Sequence, residues 1–443
     1  MLTTVQDGLG ELERAGVSEA LRRKLVRYLQ TAPPAALALM VPPRLAAEWG
    51  LDAEEMLEAF LQATRAGLLD LEWRMRCPSC AGPTQSEPRL DQVHSRSACG
   101  YCEIDFYGGF DDAVEVTWRV HPTVRDLSDV ALAEVLQRHF HPQPVLPLAA
   151  QPGEQVAAEV ELLPGNYHLF VPARQTAIGL RIHDGEPSEG RLEVTWDGAR
   201  IERGAWRVGP GSYRLALENR SAEPVEMVLA RVADLPWVSA AELASCQSFR
   251  DLFSSELIRP DDDFAIRSVD FVFTDLKGST ALYEKVGDSR AFALVRDHFE
   301  IMIELTHQHR GAIVKTIGDA IMATFLGPTA AIEFAMAVHD RFAEFNRAQE
   351  MPDAIVVKVG IHRGPCIAVN LNERIDYFGR TVNAAARIQG LSEGGDVVVS
   401  ESYAADAQVR EVLARAPYDE QPFTAKLKGI AGDVPLVRLV PRS

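Results

Sequence analysis

Residues 311–325, GAIVKTIGDAIMATF, hold two short β-prone apolar runs separated by Gly318 and Asp319. Runs rich in Val and Ile favour strands, and a Gly-Asp pair between two of them favours a tight hairpin. The pattern predicts strand, two-residue turn, strand, with Asp319 on the turn. Lys315 and Asp319 sit four apart in this apolar setting, where an ionisable side chain is costly unless it is paired or meets a ligand.

A second strand is predicted in SVDFVFTDLKGST, where Val269, Phe271 and Phe273 alternate and Asp275 follows at the strand end. Gly278 permits a sharp turn. Ser279 or Thr280 is expected to cap the next helix, ALYEKVGDSRAFALVRDHFEIMIELTHQH. Free amides at a helix start suit phosphate oxygens, which makes Gly278, Ser279 and Thr280 candidate nucleotide-binding residues. If the hairpin neighbours this strand, Asp275 and Asp319 converge. Two carboxylates beside an anion cradle suit a pair of divalent cations. Taken singly, Asp275 reads as a helix cap and Asp319 as a turn former.

A chain of 443 residues exceeds one core, so several domains are expected. Residues 1–73 read as helical from VSEALRRKLVRYLQ and DAEEMLEAFLQATRAGLL, the second helix starting after Asp52 and ending at Gly67. They are either winged-helix-like or a plain helical packing unit. Residues 74–150 carry CPSC and CGYC, two CxxC knuckles eighteen residues apart. This spacing reads as a zinc ribbon in which Cys77, Cys80, Cys99 and Cys102 hold one structural Zn2+ per chain. Reduced cysteines in a packed core are the alternative. Residues 151–234 show alternating runs broken by Pro-Gly, Asp-Gly and Gly-Ser turns, the pattern of a small β-sandwich. Residues 235–265 read as a helical linker, and from 266 onward strands and helices alternate.

The formal net charge of -18 argues against a protein that coats nucleic acid, though not against a small anionic ligand. No apolar stretch reaches membrane-spanning length. The N-terminal MLTTVQDGLGELERAG lacks a basic region followed by an apolar core. A soluble, cytoplasmic protein is the expectation.

Residues 268–440 resemble the catalytic domain of the class III nucleotidyl cyclases, which make cyclic AMP or cyclic GMP. The resemblance rests on FVFTDLKGST, IVKTIGDAIMATF, VGIHRGPCIAVN, RIDYFGRTVNAAARI and AKLKG, in that order. It implies an α+β, ferredoxin-like fold for residues 266–443. It implies that Asp275 and Asp319 hold two Mg2+ or Mn2+ ions per active site, and that Lys315 and Asp376 read the adenine ring. Asn383 would orient the ribose, and Arg387 would stabilise charge on the transferred phosphoryl group. Lys428 would lie near the triphosphate. The resemblance also implies a site shared across a homodimer, with the two aspartates from one chain and Lys315, Asp376, Asn383 and Arg387 from the other.

The chemistry of these residue types agrees with that implication. Asn383 and Arg387 are four apart and share one helix face. A lysine donor beside a carboxylate acceptor matches adenine, whose amino group donates and whose ring nitrogens accept, better than guanine. The expected activity is therefore conversion of ATP to 3′,5′-cyclic AMP and pyrophosphate, under control of an N-terminal region whose ligand or protein partner the sequence does not name. One departure stands out: several relatives place a phosphate-binding arginine where this chain has Pro365, with Arg363 two residues earlier. The competing readings are a nucleotide-binding sensor with a weakly active or inactive cyclase domain, and a DNA-binding regulator acting through the N-terminal helices.

Overall fold

The computed structural model describes residues 2–442 except 79–81, 100–103, 131–134, 136–141, 175, 183–184, 204–207, 234, 254–263, 349–354, 372–373 and 431. The chain divides into two compact units, Met1–Gly108 with Asp112–Ser239, and Gly109–Asp111 with Ala240–Ser443.

The first unit opens with helices Leu2–Arg14, Glu19–Thr31, Pro34–Ala38, Pro42–Trp49 and Ala53–Arg65. The last starts where the sequence placed it: the Asp52 carboxylate accepts the amides of Glu54 and Glu55 at 2.9 and 3.0 Å, satisfying two orphan donors of the first turn. The helical segment stops short of residue 73, because LDLEWRMR enters strand Leu69–Arg76. That strand pairs with Val114–Val120 on one side and Pro83–Glu87 on the other. A separate hairpin joins Arg96–Cys99 to Ile104–Tyr107. The β-sandwich begins at Gln143, upstream of the expected residue 151, and its two four-stranded sheets share one core that includes Leu162, Leu169, Leu217 and Met227.

The second unit carries the five motifs quoted above, and its elements are labelled here from its start. Helices α1 (Ala240–Ala244) and α2 (Gln247–Leu252) precede β1 (Phe264–Leu276). Then come α3 (Ser279–Val286), α4 (Asp288–Gln308), β2 (Gly311–Ile317), β3 (Ala320–Phe325) and α5 (Pro328–Ala348). They are followed by β4 (Val357–Leu371), β5 (Arg374–Phe378), α6 (Arg380–Gln389) and β6 (Val397–Ser400). Helices α7 (Glu401–Ala404) and α8 (Ala407–Arg415) and strands β7 (Tyr418–Lys426) and β8 (Asp433–Pro441) close the unit.

The sheet order is β2-β3-β1-β4-β6-β8-β7, with β5 on the extension of β4. Strands β1 to β4 and the helices between them form a β-α-β-β-α-β unit with antiparallel order 2-3-1-4, which is the ferredoxin-like arrangement. Strand β1 is buried on both faces from Val269 to Thr274, as a central strand must be. The single helix expected after Lys277 is two helices: Gly287, at φ 80, ends α3 and lets α4 set off anew. Among the described residues no helix is long and apolar enough to cross a membrane.

Candidate functional site

Strand β1 delivers Asp275 to one end of the sheet, opposite Lys358 of β4. The β2–β3 hairpin turns at Gly318 and Asp319, with Gly318 at φ 65 supplying the left-handed residue. Since β3 pairs with β1 through Thr274–Ile321, the turn returns Asp319 to the neighbourhood of Asp275. Burial first, and then the Asp319 charge, hold the Asp275 carboxyl above its ordinary range, while Lys358 works against them. Asp319 Oδ2 is buried and has no hydrogen-bond partner. Two half-buried carboxylates that repel one another, one with an orphan oxygen, are a donor set suited to a hard divalent cation.

Behind them, His298 of α4 is fully buried, and neither of its ring nitrogens has a partner. Burial pushes its pKa down to about 4 against the pull of Asp319, so at neutral pH the imidazole is uncharged and adds no compensating charge beside the carboxylates. Neither His298 nor Lys358 was singled out from sequence. Lys358, placed between Val357 and Val359, was the legible one of the two.

Next to Asp275, helix α3 starts at Gly278, which takes φ 67 as the N-cap. Ser279 is therefore the first helical residue and Thr280 the second, so neither holds the cap position, and the glycine that does has no side chain to bond the first-turn amides. A glycine at the cap leaves those amides available to an anion.

Lys315 and Asp376 are brought together, with Lys315 Nζ 2.6 Å from Asp376 Oδ2. Asp376 is buried on β5, and its other oxygen accepts the Tyr377 amide at 2.8 Å. Lys315 is half-buried, so the pair offers its ammonium to solvent, while the Asp376 carboxylate lies beneath it with each oxygen in one hydrogen bond.

Asn383 and Arg387 share helix α6, whose other face, Thr381, Ala384, Ala385 and Ile388, is buried. This helix lies directly on β4 because the strand carries glycines beneath it. A Cβ at Gly360 would collide with the Gln389 backbone, and one at Gly364 would stand 2.8 Å from Thr381 Oγ1. Asn383 is exposed and Arg387 half-buried. A Cβ at Gly429 would lie 3.5 Å from Arg387 Nη2, so the loop bearing the exposed Lys428 runs beside the guanidinium.

Arg363 has a different occupation. Its guanidinium grips Asp270 at 2.7 and 2.6 Å and reaches Asp406 at 3.2 Å. Asp270 is fully buried, and burial pushes its carboxyl up to about 6 despite that pairing. Arg363 is thus an internal cross-link of β4 to β1 and the start of α8.

In the first unit, Cys77 and Cys99 are both buried and pack together with Ile104 and Phe106. The Cys77 amide donates to the Gly82 carbonyl at 2.8 Å, and Cys99 pairs with Ile104 in the hairpin. Cys80 and Cys102 lie outside the described residues. Among the described residues no group of three or more His, Cys, Asp or Glu side chains stands ready to hold a metal.

Comparison with known proteins agrees with this division. Residues 264–420 match the adenylate and guanylate cyclase catalytic domain. An adenylate cyclase of Lachancea kluyveri is 31% identical over 158 residues, 31% of this chain and 8% of that protein. Adenylate cyclase 1 of Rhizobium meliloti (strain 1021) is 30% identical over 177 residues, 37% of this chain and 26% of that protein. The chain thus spans about a quarter or less of the length of these two relatives. The crystal structure of the adenylyl cyclase CyaB from P. aeruginosa matches with a TM-score of 0.36 at 22% identity, covering 41% of this chain and 97% of that one. Residues 4–251 match a family of unknown function, DUF5939. The chain belongs to that family and carries, C-terminal to the family's segment, a class III nucleotidyl-cyclase-like catalytic domain.

Proposed function

We propose that the protein is an adenylate cyclase that converts ATP to 3′,5′-cyclic AMP and pyrophosphate at a site shared by a homodimer. The observation that carries this reading is the Lys315–Asp376 pair, 2.6 Å apart and part-exposed. It presents a donor and an acceptor side by side, as adenine requires. A guanine seated there leaves buried polar groups unmatched, at about 1–3 kcal/mol, roughly ten- to hundredfold in preference.

In the reaction, the ribose 3′-oxygen attacks the α-phosphorus in line. The 3′-hydroxyl proton passes to solvent water, the new O–P bond closes the ring, and the bond from the α-phosphorus to the oxygen bridging it to the β-phosphate breaks with release of pyrophosphate. Asn383 orients the ribose, and Arg387, with Lys428 beside it, balances charge on the phosphates. The open amides of Gly278, Ser279 and Thr280 take up phosphate oxygens. Asp275 and Asp319 hold the two Mg2+ or Mn2+ ions, whose chemistry is to acidify the attacking hydroxyl and neutralise the polyphosphate.

Support for a partner subunit comes from the surface around the base-reading pair. Ile317, Ile367, Leu371 and Phe378 are large apolar side chains 39–54% exposed on β2, β4 and β5. Ile367 and Phe378 are cross-strand neighbours. Apolar side chains grouped in this way call for a cover.

In the N-terminal unit, Cys77, Cys80, Cys99 and Cys102 hold one structural Zn2+, a reading supported by the joint burial of Cys77 and Cys99. Metal analysis of chelator-free protein then gives about one zinc per chain, lost in a Cys77→Ser, Cys99→Ser variant. Unchanged zinc content in that variant refutes these ligands. The cyclase reading is tested by incubating purified protein with ATP and Mn2+. Cyclic AMP is the expected product, and a folded dimer that forms none with any nucleotide or divalent cation refutes it.

A further inference from the structure

Helix α2, which precedes the catalytic motifs, touches both strands that carry the base-reading pair. Gln247, its first residue, presents Oε1 to the amide of Ile313 on β2 at 2.8 Å. Arg250, one turn on, donates from Nη1 to the Ile375 carbonyl on β5 at 3.1 Å. Both side chains are half-buried and held from behind. Gln247 Nε2 donates to Asp251 at 2.9 Å, and Arg250 Nε donates to the Ala244 carbonyl at 2.8 Å. The helix itself is anchored by Phe249, which is buried and stacks on Phe253.

The points of contact matter more than their number. Ile313 lies two residues before Lys315, and Ile375 immediately precedes Asp376. Arg250 also stands 5.7 Å from the ring of Tyr377, the residue after Asp376 and the donor to its carboxylate. Strand β2 is an edge of the sheet, and its register on β3 shifts between Ile313 and Lys315. An edge strand with an irregular ladder is held less firmly than an inner one, so a side chain that takes up its amide restricts it. Among the described residues no other side chain hydrogen-bonds the Ile313 backbone.

We propose that α2 positions the base-reading pair: Gln247 fixes the strand of Lys315, Arg250 fixes the strand of Asp376, and the 2.6 Å pairing between them depends on both. This rests on the nucleotide-binding role of Lys315 and Asp376 proposed above. Its consequence is that movement of α2 alters which purine is accepted, and how tightly, before it alters the chemical step. Gln247 and Arg250 are positioning residues, since neither is placed to touch the reacting atoms.

The test uses the full chain with Gln247→Met and Arg250→Met, which keep an unbranched stem and remove the hydrogen-bonding ends, and Arg250→Lys, which keeps a cationic donor. KM and kcat are measured with ATP and with GTP in Mn2+, alongside hydrogen exchange of the peptides containing 313–315 and 375–377. For Arg250→Met the expected result is a KM for ATP raised about tenfold, a preference for ATP over GTP lowered about tenfold, and a smaller fall in kcat. Arg250→Lys recovers part of the preference, and Gln247→Met speeds exchange at 313–315. Folded variants that lose kcat alone, or that keep both KM and purine preference, overturn the positioning role. A wild-type chain that turns over neither nucleotide instead overturns the cyclase reading on which it rests.

Discussion

Lys315 on β2 and Asp376 on β5 meet at 2.6 Å although 61 residues separate them in the chain. The edge hairpin and the extension of β4 must both be in place for that contact to form, so the pair reports on the whole catalytic sheet. In the proposed site, Lys315→Ala leaves Asp376 to meet the base without its cation. The expected outcome is a loss of ATP preference of about ten- to hundredfold, read as the ratio of kcat/KM for ATP and GTP. An unchanged ratio means that the base binds elsewhere.

The carboxylate pair gives a prediction of opposite sign for stability and activity. Asp275 is held above its ordinary range by burial and by the Asp319 charge, so Asp319→Asn removes a repulsion. Without metal, the variant melts at or above the wild-type temperature. With Mn2+ at 100 times its Kd the wild type gains about 2.7 kcal/mol, and the variant gains none. Turnover is abolished. A variant that melts lower without metal and still responds to Mn2+ contradicts this account of Asp319.

Arg363 separates a structural cation from a phosphate ligand. Asp270 titrates near 6 in the folded chain, above its ordinary 3.8. The native state therefore binds that proton more tightly than the unfolded one. The sign follows: the contribution to stability is complete below the ordinary value and is lost as pH rises through 6. Arg363 offsets that loss. Arg363→Met is expected to destabilise by about 3–5 kcal/mol at pH 7.5, with the deficit shrinking as pH falls toward about 6, because Asp270 without its guanidinium takes up its proton at a higher pH than in the wild type. KM for ATP in the folded fraction stays within about threefold of wild type, because the guanidinium is not a phosphate ligand. Denaturant melts at the two pH values and initial rates decide the matter.

Gly360 seats the helix that bears Asn383 and Arg387, since a Cβ there collides with the Gln389 backbone. Gly360→Ala forces α6 off β4 at a cost of about 1–3 kcal/mol. It should lower kcat more than the melt alone explains, measured at saturating ATP below the melting temperature.

Much of this site was legible because it is local. Gly318-Asp319 as a turn and Asn383 with Arg387 on one helix face follow from residues within four positions of one another, as does, in the first unit, the helix start after Asp52. The break at Gly287 was also there to be read, in a glycine followed by Asp288, but the long apolar periodicity concealed it. The contacts that were not legible are non-local. Arg363 and Asp270 are 93 residues apart, and Gln247 and Ile313 are 66 apart. A short polar helix such as α2 carries no sign in its composition of which strands it will hold. His298 falls between the two cases, because a histidine on the inner face of a helix has the same spacing whether it packs or binds.

The central claim is a site completed by two chains, and subunit mixing tests it most directly. Asp275→Ala and Arg387→Ala damage opposite halves of that site, so each variant alone is nearly inactive. Co-expressed with different affinity tags and exchanging at random, half the dimers are mixed, and each holds one intact site of two. The account predicts recovery of cyclic AMP production to about a quarter of the wild-type rate per chain. Verified mixed dimers that recover nothing place both residues in one chain's own site and contradict the shared-site claim.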